Sequence, residues 1–159
     1  MNPLYVRESG TFREATSHEL LHHAQSLITR RLRPGTPVLD RPEDLRTYLR
    51  VHLGPLEHEV FAVLFLTSRH RLIEFVELFR GTLEGAYVHP REVAKEVLAR
   101  NAAAVILVHN HPSGVSEASA ADEQITQRLK EALALIEVRV LDHLIVADPI
   151  FSFAEHGLL

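Results

Sequence analysis

An unbroken apolar run, Ala102-Ala-Ala-Val-Ile-Leu-Val108, leads directly into the polar sequence His109-Asn-His-Pro-Ser-Gly114. Because no polar residue interrupts it, the run predicts a β-strand that is covered on both faces and is therefore central in its sheet. Open α/β sheets bind their ligands beyond the carboxyl ends of the strands. The junction at His109 is therefore where we predict the functional site.

The surrounding sequence predicts a mixed α/β domain. After its first residue, Glu59-Val-Phe-Ala-Val-Leu-Phe-Leu66 is a second continuous apolar run, and it predicts another buried strand. The alternation of strands and helices that follows indicates helices packed on a mixed sheet. The remaining predicted elements are a strand over 72–79, a loop or short strand over 81–88, helices over 91–101 and 119–136, and strands over 138–147 and 150–154.

The N-terminal third of the chain predicts two helices. Thr16-x-x-Glu19 has the pattern of a capping box, so it predicts the start of a helix that Pro34-Gly35 ends. A second, short helix is predicted from Pro42 to about Leu53, because proline is favoured in the first turn of a helix. Residues 1–15 are polar, and we predict that they lack regular structure.

Length and composition limit the class of protein. A chain of 159 residues, 46% of them hydrophobic, suits one domain with a short appendage. We therefore assign residues 1–55 to a helical N-terminal extension and residues 56–159 to the α/β domain. The net charge of −4 gives no basic surface of the kind that nucleic-acid binding leaves. With no signal peptide and no apolar stretch approaching a membrane span, we expect a cytoplasmic protein without membrane attachment.

The polar residues after the central strand have the pattern of a metal site. Residues two apart in extended chain point the same way, so His109 and His111 can face one point. Asp122 lies in the first turn of the next predicted helix. Three protein ligands with one open position are typical of catalytic zinc, although two histidines and a carboxylate also suit non-haem Fe(II). A metal in such a site lowers the pKa of bound water to about 7, which would make the domain a hydrolase.

The pattern gains its specificity from the whole set of residues. Histidine makes up 11 of the 159 residues, so a His-x-His pair alone is weak evidence. Ser119 and Asp122 follow His111 at fixed distances along the chain, and this combination is much less common. The chain has no cysteine, so histidines and carboxylates are the residues left to bind a metal.

Two further roles stay open at this point. Ser119 fits a helix N-cap, and its hydroxyl also fits a contact with the attacking water or a developing oxyanion. A hydrolase of this kind needs a general base, and spacing does not choose one. Glu59 is an unusual charge at the start of an apolar strand, although it also fits the polar edge of that strand. The carboxylates that we consider for the base are Glu57, Glu59, Glu74, Glu77, Glu84, Glu92, Glu117 and Glu123.

Other polar residues near these motifs have simpler interpretations. Asn110 points away from its histidine neighbours in an extended chain, so we expect it to be structural. The pair Asp142-His143 could support the metal ligands from behind, but ordinary hydrogen bonds at the edge of a strand are the interpretation that we favour. For His89 we favour a loop position over a role as a ligand. His18 and His22 lie one turn apart on a helix with no evident third ligand, which indicates a solvated helix face.

The spacing of His109-x-His111-Pro112 to Ser119 and Asp122 resembles the pattern of JAMM (JAB/MPN) metalloproteases. The wider sequence is similar to the RadC-type bacterial branch of that family, over residues 56–159. The motifs that carry the resemblance are Glu59-x-Phe61, Arg80-Gly-Thr82, His89-Pro-Arg-Glu92, Asn101-Ala-Ala103, His109-Asn-His-Pro-Ser-Gly114, Leu141-Asp-His143 and Glu155-His-Gly-Leu158.

The resemblance implies an MPN fold, a three-layer α-β-α arrangement similar to cytidine deaminase-like domains. It implies Zn²⁺ bound by His109, His111 and Asp122, with Glu59 as the catalytic base and a transition-state role for Ser119. The bond cleaved would be a peptide or isopeptide bond in a protein that the sequence does not name. Longer members carry a helix-hairpin-helix region, of which this chain has no clear form, and the branch is associated by name with DNA repair.

Two other functions stay open. A non-catalytic MPN scaffold is one, although the presence of all three metal ligands counts against it. A DNA-processing protein is the other. The negative net charge disfavours nucleic acid as a partner, although Arg30, Arg31 and Arg33 could form a local basic patch.

Overall fold

A computed structural model of the chain describes residues 3–31, 33–38, 40, 42–81 and 87–159. Thr82 of the Arg80-Gly-Thr82 motif, the candidate base Glu84 and most of the predicted loop or short strand over 81–88 lie outside the described residues. In chain order, the elements are β1 (Tyr5–Glu8), β2 (Thr11–Glu14), α1 (Ser17–Arg31), α2 (Pro42–Leu53), β3 (Val60–Leu66), β4 (Leu72–Arg80), α3 (Pro90–Ala99), β5 (Ala104–Asn110), α4 (Ala120–Ala134), β6 (Arg139–Val146) and β7 (Phe151–Ser152).

A five-stranded mixed sheet with the order β4-β3-β5-β6-β7 forms the centre of the fold. The strand β3 pairs in antiparallel fashion with β4, as the predicted hairpin, and also with β5. The strands β5 and β6 run parallel, so the chain between them crosses over through α4. All seven residues of β5 are buried, which confirms its predicted central position. The strand continues through Asn110, so His109 lies inside it and not after it.

Alternate residues of β3 face two different helical layers, as the period of a strand requires. Phe61, Val63 and Phe65 pack in one core with side chains of α3 and α4, including Val97 and Leu129. The residues between them on β3 pack in a second core on the opposite face of the sheet. Helices therefore cover both faces, and the predicted three-layer α-β-α fold class is confirmed.

The helix α2 forms the layer on the second face, a packing that the sequence did not predict. Its residues Leu45, Leu49 and Leu53 are at most 4% exposed and belong to the same core as Val60 and Leu64. Burying a leucine side chain contributes about 1.5–3 kcal/mol, so these three contacts hold α2 firmly to the sheet. Whether residues 1–55 and 56–159 behave as separate units stays a prediction.

The first 15 residues are more regular than we predicted. The strands β1 and β2 form an antiparallel hairpin, in which Glu8 pairs with Thr11 across the turn. The prediction of irregular chain was wrong because every residue of β2 is exposed, so no alternation of polar and apolar residues marks the strand. The capping box of α1 is confirmed, since Thr16 and Glu19 exchange hydrogen bonds.

The structure also bears on membrane spans and on the basic patch considered above. No helix in the described part of the chain is long and apolar enough to cross a membrane. The side chains of Arg30 and Arg31, two members of the basic patch considered above, lie outside the described part, whereas Arg33 is exposed.

Candidate metal centre

The two histidines approach each other at the carboxyl end of β5. His109 is 1% exposed, whereas His111 lies just beyond the strand and is half-buried. Their Nε2 atoms lie 2.9 Å apart. The prediction that alternate residues aim two imidazoles at one point is therefore confirmed in geometry.

Asp122 reaches the same point from the first turn of α4. Its Oδ1 lies 3.2 Å from Nε2 of His109, and its Oδ2 lies 3.5 Å from Nε2 of His111. One ligand atom from each of the three residues falls within 4.8 Å of the others. In a tetrahedral site with ligand–zinc distances of about 2.0–2.1 Å, neighbouring ligand atoms lie about 3.3 Å apart, close to the separations seen here. The donor set therefore fits a divalent metal ion.

The backbone of the connecting loop orients His111. Its Nδ1 lies 2.8 Å from the carbonyl oxygen of Val115. A carbonyl can only accept, so Nδ1 carries the proton and donates it, which leaves Nε2 directed at the centre. The hydrogen bond with Asp122 raises the pKa of His111 above its usual value, against the smaller effect of burial, and the negative charge of Glu59 adds to the rise.

A series of hydrogen bonds leads away from Nδ1 of His109, the ring nitrogen that faces away from the centre. This Nδ1 lies 2.8 Å from Nε2 of His143, a fully buried residue of β6, and Nδ1 of His143 contacts the hydroxyl of Thr126 on α4. Burial lowers the pKa of His143 well below its usual range. The interpretation of His143 as part of an edge pair was wrong, because β6 lies between β5 and β7 and brings this ring behind His109, a candidate metal ligand. The available signal was a histidine directly before the apolar run Leu144-Ile-Val146.

Asp122 is ionised in this environment. Burial is the largest single influence and opposes ionisation, but the contacts with the imidazoles of His109 and His111 together outweigh it, with a further contribution from Ser119. The pKa of Asp122 therefore lies well below its usual range. A carboxylate that stays charged over the whole physiological range is what a cation site requires.

Glu59 immediately precedes β3, next to the candidate metal centre. Two residues further on, Phe61 of β3 is paired with His109 of β5, and its ring stacks on that imidazole. Glu59 and His111 also line one open cavity of about 370 Å³. The structure therefore brings the predicted base to the cavity of the metal centre, while its catalytic role stays a prediction.

Asn110 fixes the chain on either side of Glu59. Its Oδ1 accepts a hydrogen bond of 2.8 Å from the backbone N–H of Val60, and its Nδ2 donates to the carbonyl oxygen of His58 at 3.1 Å. The side chain faces away from the two histidines, so the structural role expected for Asn110 is confirmed. Its contacts hold the start of β3 against the end of β5.

Ser119 occupies the N-cap of α4. Its Oγ donates to Oδ2 of Asp122 at 2.7 Å and accepts from the backbone N–H of Asp122 at 3.2 Å. The backbone N–H of Ser119 in turn donates to the same carboxylate, which completes a capping box. Ser119 also lines the cavity, so the cap is confirmed and a catalytic role for the hydroxyl stays a prediction.

The other candidate carboxylates lie in different surroundings. Glu117 lines the cavity together with Glu59. Glu74 pairs with Arg100, and Glu92 pairs with Lys95, so these two carboxylates form ion pairs outside the cavity. The remaining described candidates are the exposed residues Glu57, Glu77 and Glu123.

Comparison with known proteins supports the resemblance. A family model described as a RadC-like JAB domain matches residues 39–158, a range that includes α2. A UPF0758 protein from Methylibium petroleiphilum is 55% identical over 155 residues, which span 97% of this chain and 69% of that protein. A UPF0758 protein from Vibrio cholerae is 54% identical over 145 residues, 91% of each chain. Another, from Nitrosococcus oceani, is 63% identical over 123 residues, 77% of this chain and 55% of that protein.

Proposed function

The chain belongs to the RadC-like JAB domain family, and we propose that it is a zinc-dependent hydrolase that cleaves peptide or isopeptide bonds. The observation that carries this proposal is the convergence of His109, His111 and Asp122, each with one ligand atom at a common centre. The JAB domain is related to the JAMM domains, a superfamily that includes hydrolases. The open cavity beside the centre gives a substrate access to it.

Zinc is the metal that we favour for this centre. Two imidazole nitrogens and one carboxylate oxygen are ordinary zinc ligands, and three protein ligands leave one position for chemistry. The same donors suit non-haem Fe(II). Analysis of the metal in protein purified without added metal distinguishes the two, and we expect zinc.

Glu59 is the general base in the reaction that we propose. A divalent ion in this centre supplies a Lewis acid for the substrate carbonyl and a lowered pKa for the attacking water. Glu59 takes one proton from that water as its oxygen attacks the carbonyl carbon. Glu59 then delivers the proton to the amide nitrogen, so the carbon–nitrogen bond breaks and an amine leaves. The position of Glu59 in the wall of the cavity that His111 also lines supports this role.

Ser119 stabilises the oxyanion that forms during the attack. Its hydroxyl lines the cavity and stands beside Asp122, one of the metal ligands. The hydroxyl has one proton, which points to Oδ2 of Asp122 in the free protein. When a substrate oxygen becomes negatively charged, that proton turns toward it and donates a hydrogen bond. The accepting half of the helix cap, from the backbone N–H of Asp122, is retained.

The test compares the wild type with Glu59→Gln and Glu117→Gln, each loaded with zinc. Glu117 is the matched control because it is a second carboxylate of the same cavity. The probes are a library of tryptic peptides from a bacterial proteome and two synthetic peptides joined through a lysine side chain. New amino termini are counted by mass spectrometry, with and without a chelator.

We expect cleavage by the wild type and by Glu117→Gln. Loss of a general base lowers the rate by about 10²–10⁴-fold, so Glu59→Gln should retain zinc and lose cleavage. Equal cleavage by Glu59→Gln and the wild type would contradict the assignment of the base. Cleavage that continues in the chelated protein would contradict the metal mechanism, and no cleavage by the zinc-loaded wild type would count against a peptidase.

A further inference from the structure

We propose that Thr126 and His143 are positioning residues that fix the tautomer of His109 and keep its Nε2 lone pair free for a metal ion. The inference rests on the proposed metal centre and extends it to two residues that do not touch the ion. Both are buried, Thr126 with 1% and His143 with 0% of its surface exposed. The sequence motifs assigned no role to Thr126, and for His143 they favoured hydrogen bonds at the edge of a strand over a supporting position behind a ligand.

The chain of hydrogen bonds has a defined direction because one end of it can only accept. Oγ1 of Thr126 lies 2.5 Å from the backbone carbonyl oxygen of Asp122, one helical turn earlier on α4. A carbonyl has no proton to give, so the single hydroxyl proton of Thr126 is donated to it. The hydroxyl oxygen is then an acceptor for Nδ1 of His143, which lies within hydrogen-bond distance.

The same argument fixes which ring nitrogens of His143 and His109 donate and which accept. A neutral imidazole carries one ring proton, and here that proton is on Nδ1 of His143, where it is donated to Thr126. Nε2 of His143 is therefore an acceptor, and it lies 2.8 Å from Nδ1 of His109. His109 must supply the proton of that hydrogen bond. Its own Nε2 then carries a lone pair, directed at the centre that it shares with His111 and Asp122.

The surroundings of His143 leave the ring little freedom to adopt the other arrangement. Its ring stacks on Phe153 with 4.8 Å between ring centroids, and the edge of the ring meets Phe61 at 5.7 Å. Reversing the ring would break both hydrogen bonds of His143 at once and leave buried polar nitrogens without partners, which is costly. Metal-binding histidines are commonly oriented by a partner of the other ring nitrogen. Val115 has that role for His111, and His143 has it for His109.

Nuclear magnetic resonance of ¹⁵N-labelled histidines tests this inference directly. Long-range ¹H–¹⁵N correlations, recorded at about pH 8 where exposed histidines are neutral, show which ring nitrogen carries a proton. Spectra are compared for the wild type, Thr126→Val and Thr126→Ser, each without metal and with one equivalent of zinc. Zinc affinity is measured for the same proteins by competition with a chelator. Ser152→Ala is the matched control, because Ser152 has a buried hydroxyl nearby that bonds to Asp142 and not to His143.

In the wild type and Thr126→Ser we expect the proton of His143 on Nδ1, both with and without zinc. Thr126→Val keeps the shape of the side chain but removes the acceptor, so we expect a mixed tautomer at His143. Its zinc affinity should fall by about 10-fold or more, as for other residues that orient a ligand. Ser152→Ala should match the wild type in tautomer and in affinity.

Two results would overturn the inference. One is a proton on Nε2 of His143 in the wild type. The other is a Thr126→Val protein with unchanged tautomers and unchanged zinc affinity. If the wild type failed to bind zinc, the proposed function would fail, and the metal-free spectra would still decide the direction of the hydrogen bonds. Thermal unfolding of each variant separates loss of the fold from a change at the centre.

Discussion

Nε2 of His109 lies 3.2 Å from Oδ1 of Asp122, although one residue belongs to the end of a strand and the other to the start of a helix. The capping box of α4 fixes the first turn of this helix, and its carboxylate is the one that lies at the proposed metal centre. The proposal therefore gives Asp122 two separable roles. Its charge would attract the cation, and its oxygen atoms accept the hydrogen bonds that begin the helix.

Asp122→Asn separates these two functions. Asparagine retains a side-chain oxygen for the cap, so we expect a loss of stability below about 1 kcal/mol. It removes the negative charge from the centre, and we expect the affinity for zinc to fall at least as far as the 10–100-fold loss seen when a ligand's partner is removed. Chemical denaturation measures the first effect and chelator competition the second. Unchanged zinc affinity would exclude Asp122 as a ligand.

Ser119→Ala should lower stability and leave zinc affinity nearly unchanged, which is the reverse of what we expect for Asp122→Asn. Replacement of a serine N-cap by alanine costs about 0.5–2 kcal/mol of stability, because the backbone N–H of Asp122 loses its acceptor. Zinc affinity should change little, since the metal ligands remain. If the hydroxyl also serves the oxyanion, the rate of cleavage should fall by about 10²-fold or more while the Michaelis constant changes less. A protein with normal stability after this substitution would contradict the cap.

Asn110→Ala tests the hydrogen bonds that hold the backbone on either side of Glu59, the proposed base, beside the metal centre. The substitution leaves the backbone N–H of Val60 and the carbonyl oxygen of His58 without their partners. Each buried polar group left unpaired costs about 1–3 kcal/mol, so we expect a clear loss of stability in urea denaturation. Zinc affinity should be preserved, because Asn110 points away from the ligands. A stability equal to that of the wild type would show that these two hydrogen bonds contribute nothing.

The sequence predicted the parts of this fold that depend on burial. The strand β5 was recognisable because a strand buried on both faces is apolar over most of its length, and the position of His109 and His111 at its carboxyl end followed from it. The hairpin of β1 and β2 could not be recognised, because exposed strands need no apolar alternation. A supporting position for His143 was considered but not favoured, for a different reason. Only the parallel pairing of β5 with β6 brings it beside His109, and that pairing depends on the tertiary fold.

Zinc affinity should depend on pH through His111. Its pKa is raised, chiefly by the hydrogen bond with Asp122, so the metal-free imidazole still holds a proton somewhat above the usual value of 6.5. Zinc must displace that proton. Affinity should therefore be greatest above the raised pKa and decline as the pH falls through it, by about tenfold per pH unit for one displaced proton. Titration calorimetry at several pH values measures the slope, and an affinity that is flat from about pH 8 to pH 6 would contradict the prediction.

The zinc content of the protein after equilibrium dialysis tests the central claim most directly. The wild type, His109→Ala, His111→Ala and the control His18→Ala are dialysed against the same buffered zinc concentration and analysed by mass spectrometry. His18 is a matched histidine on α1, away from the centre. We predict one zinc ion per chain for the wild type and for His18→Ala, and almost none for the other two. Equal zinc contents in all four proteins would contradict a metal centre at His109, His111 and Asp122.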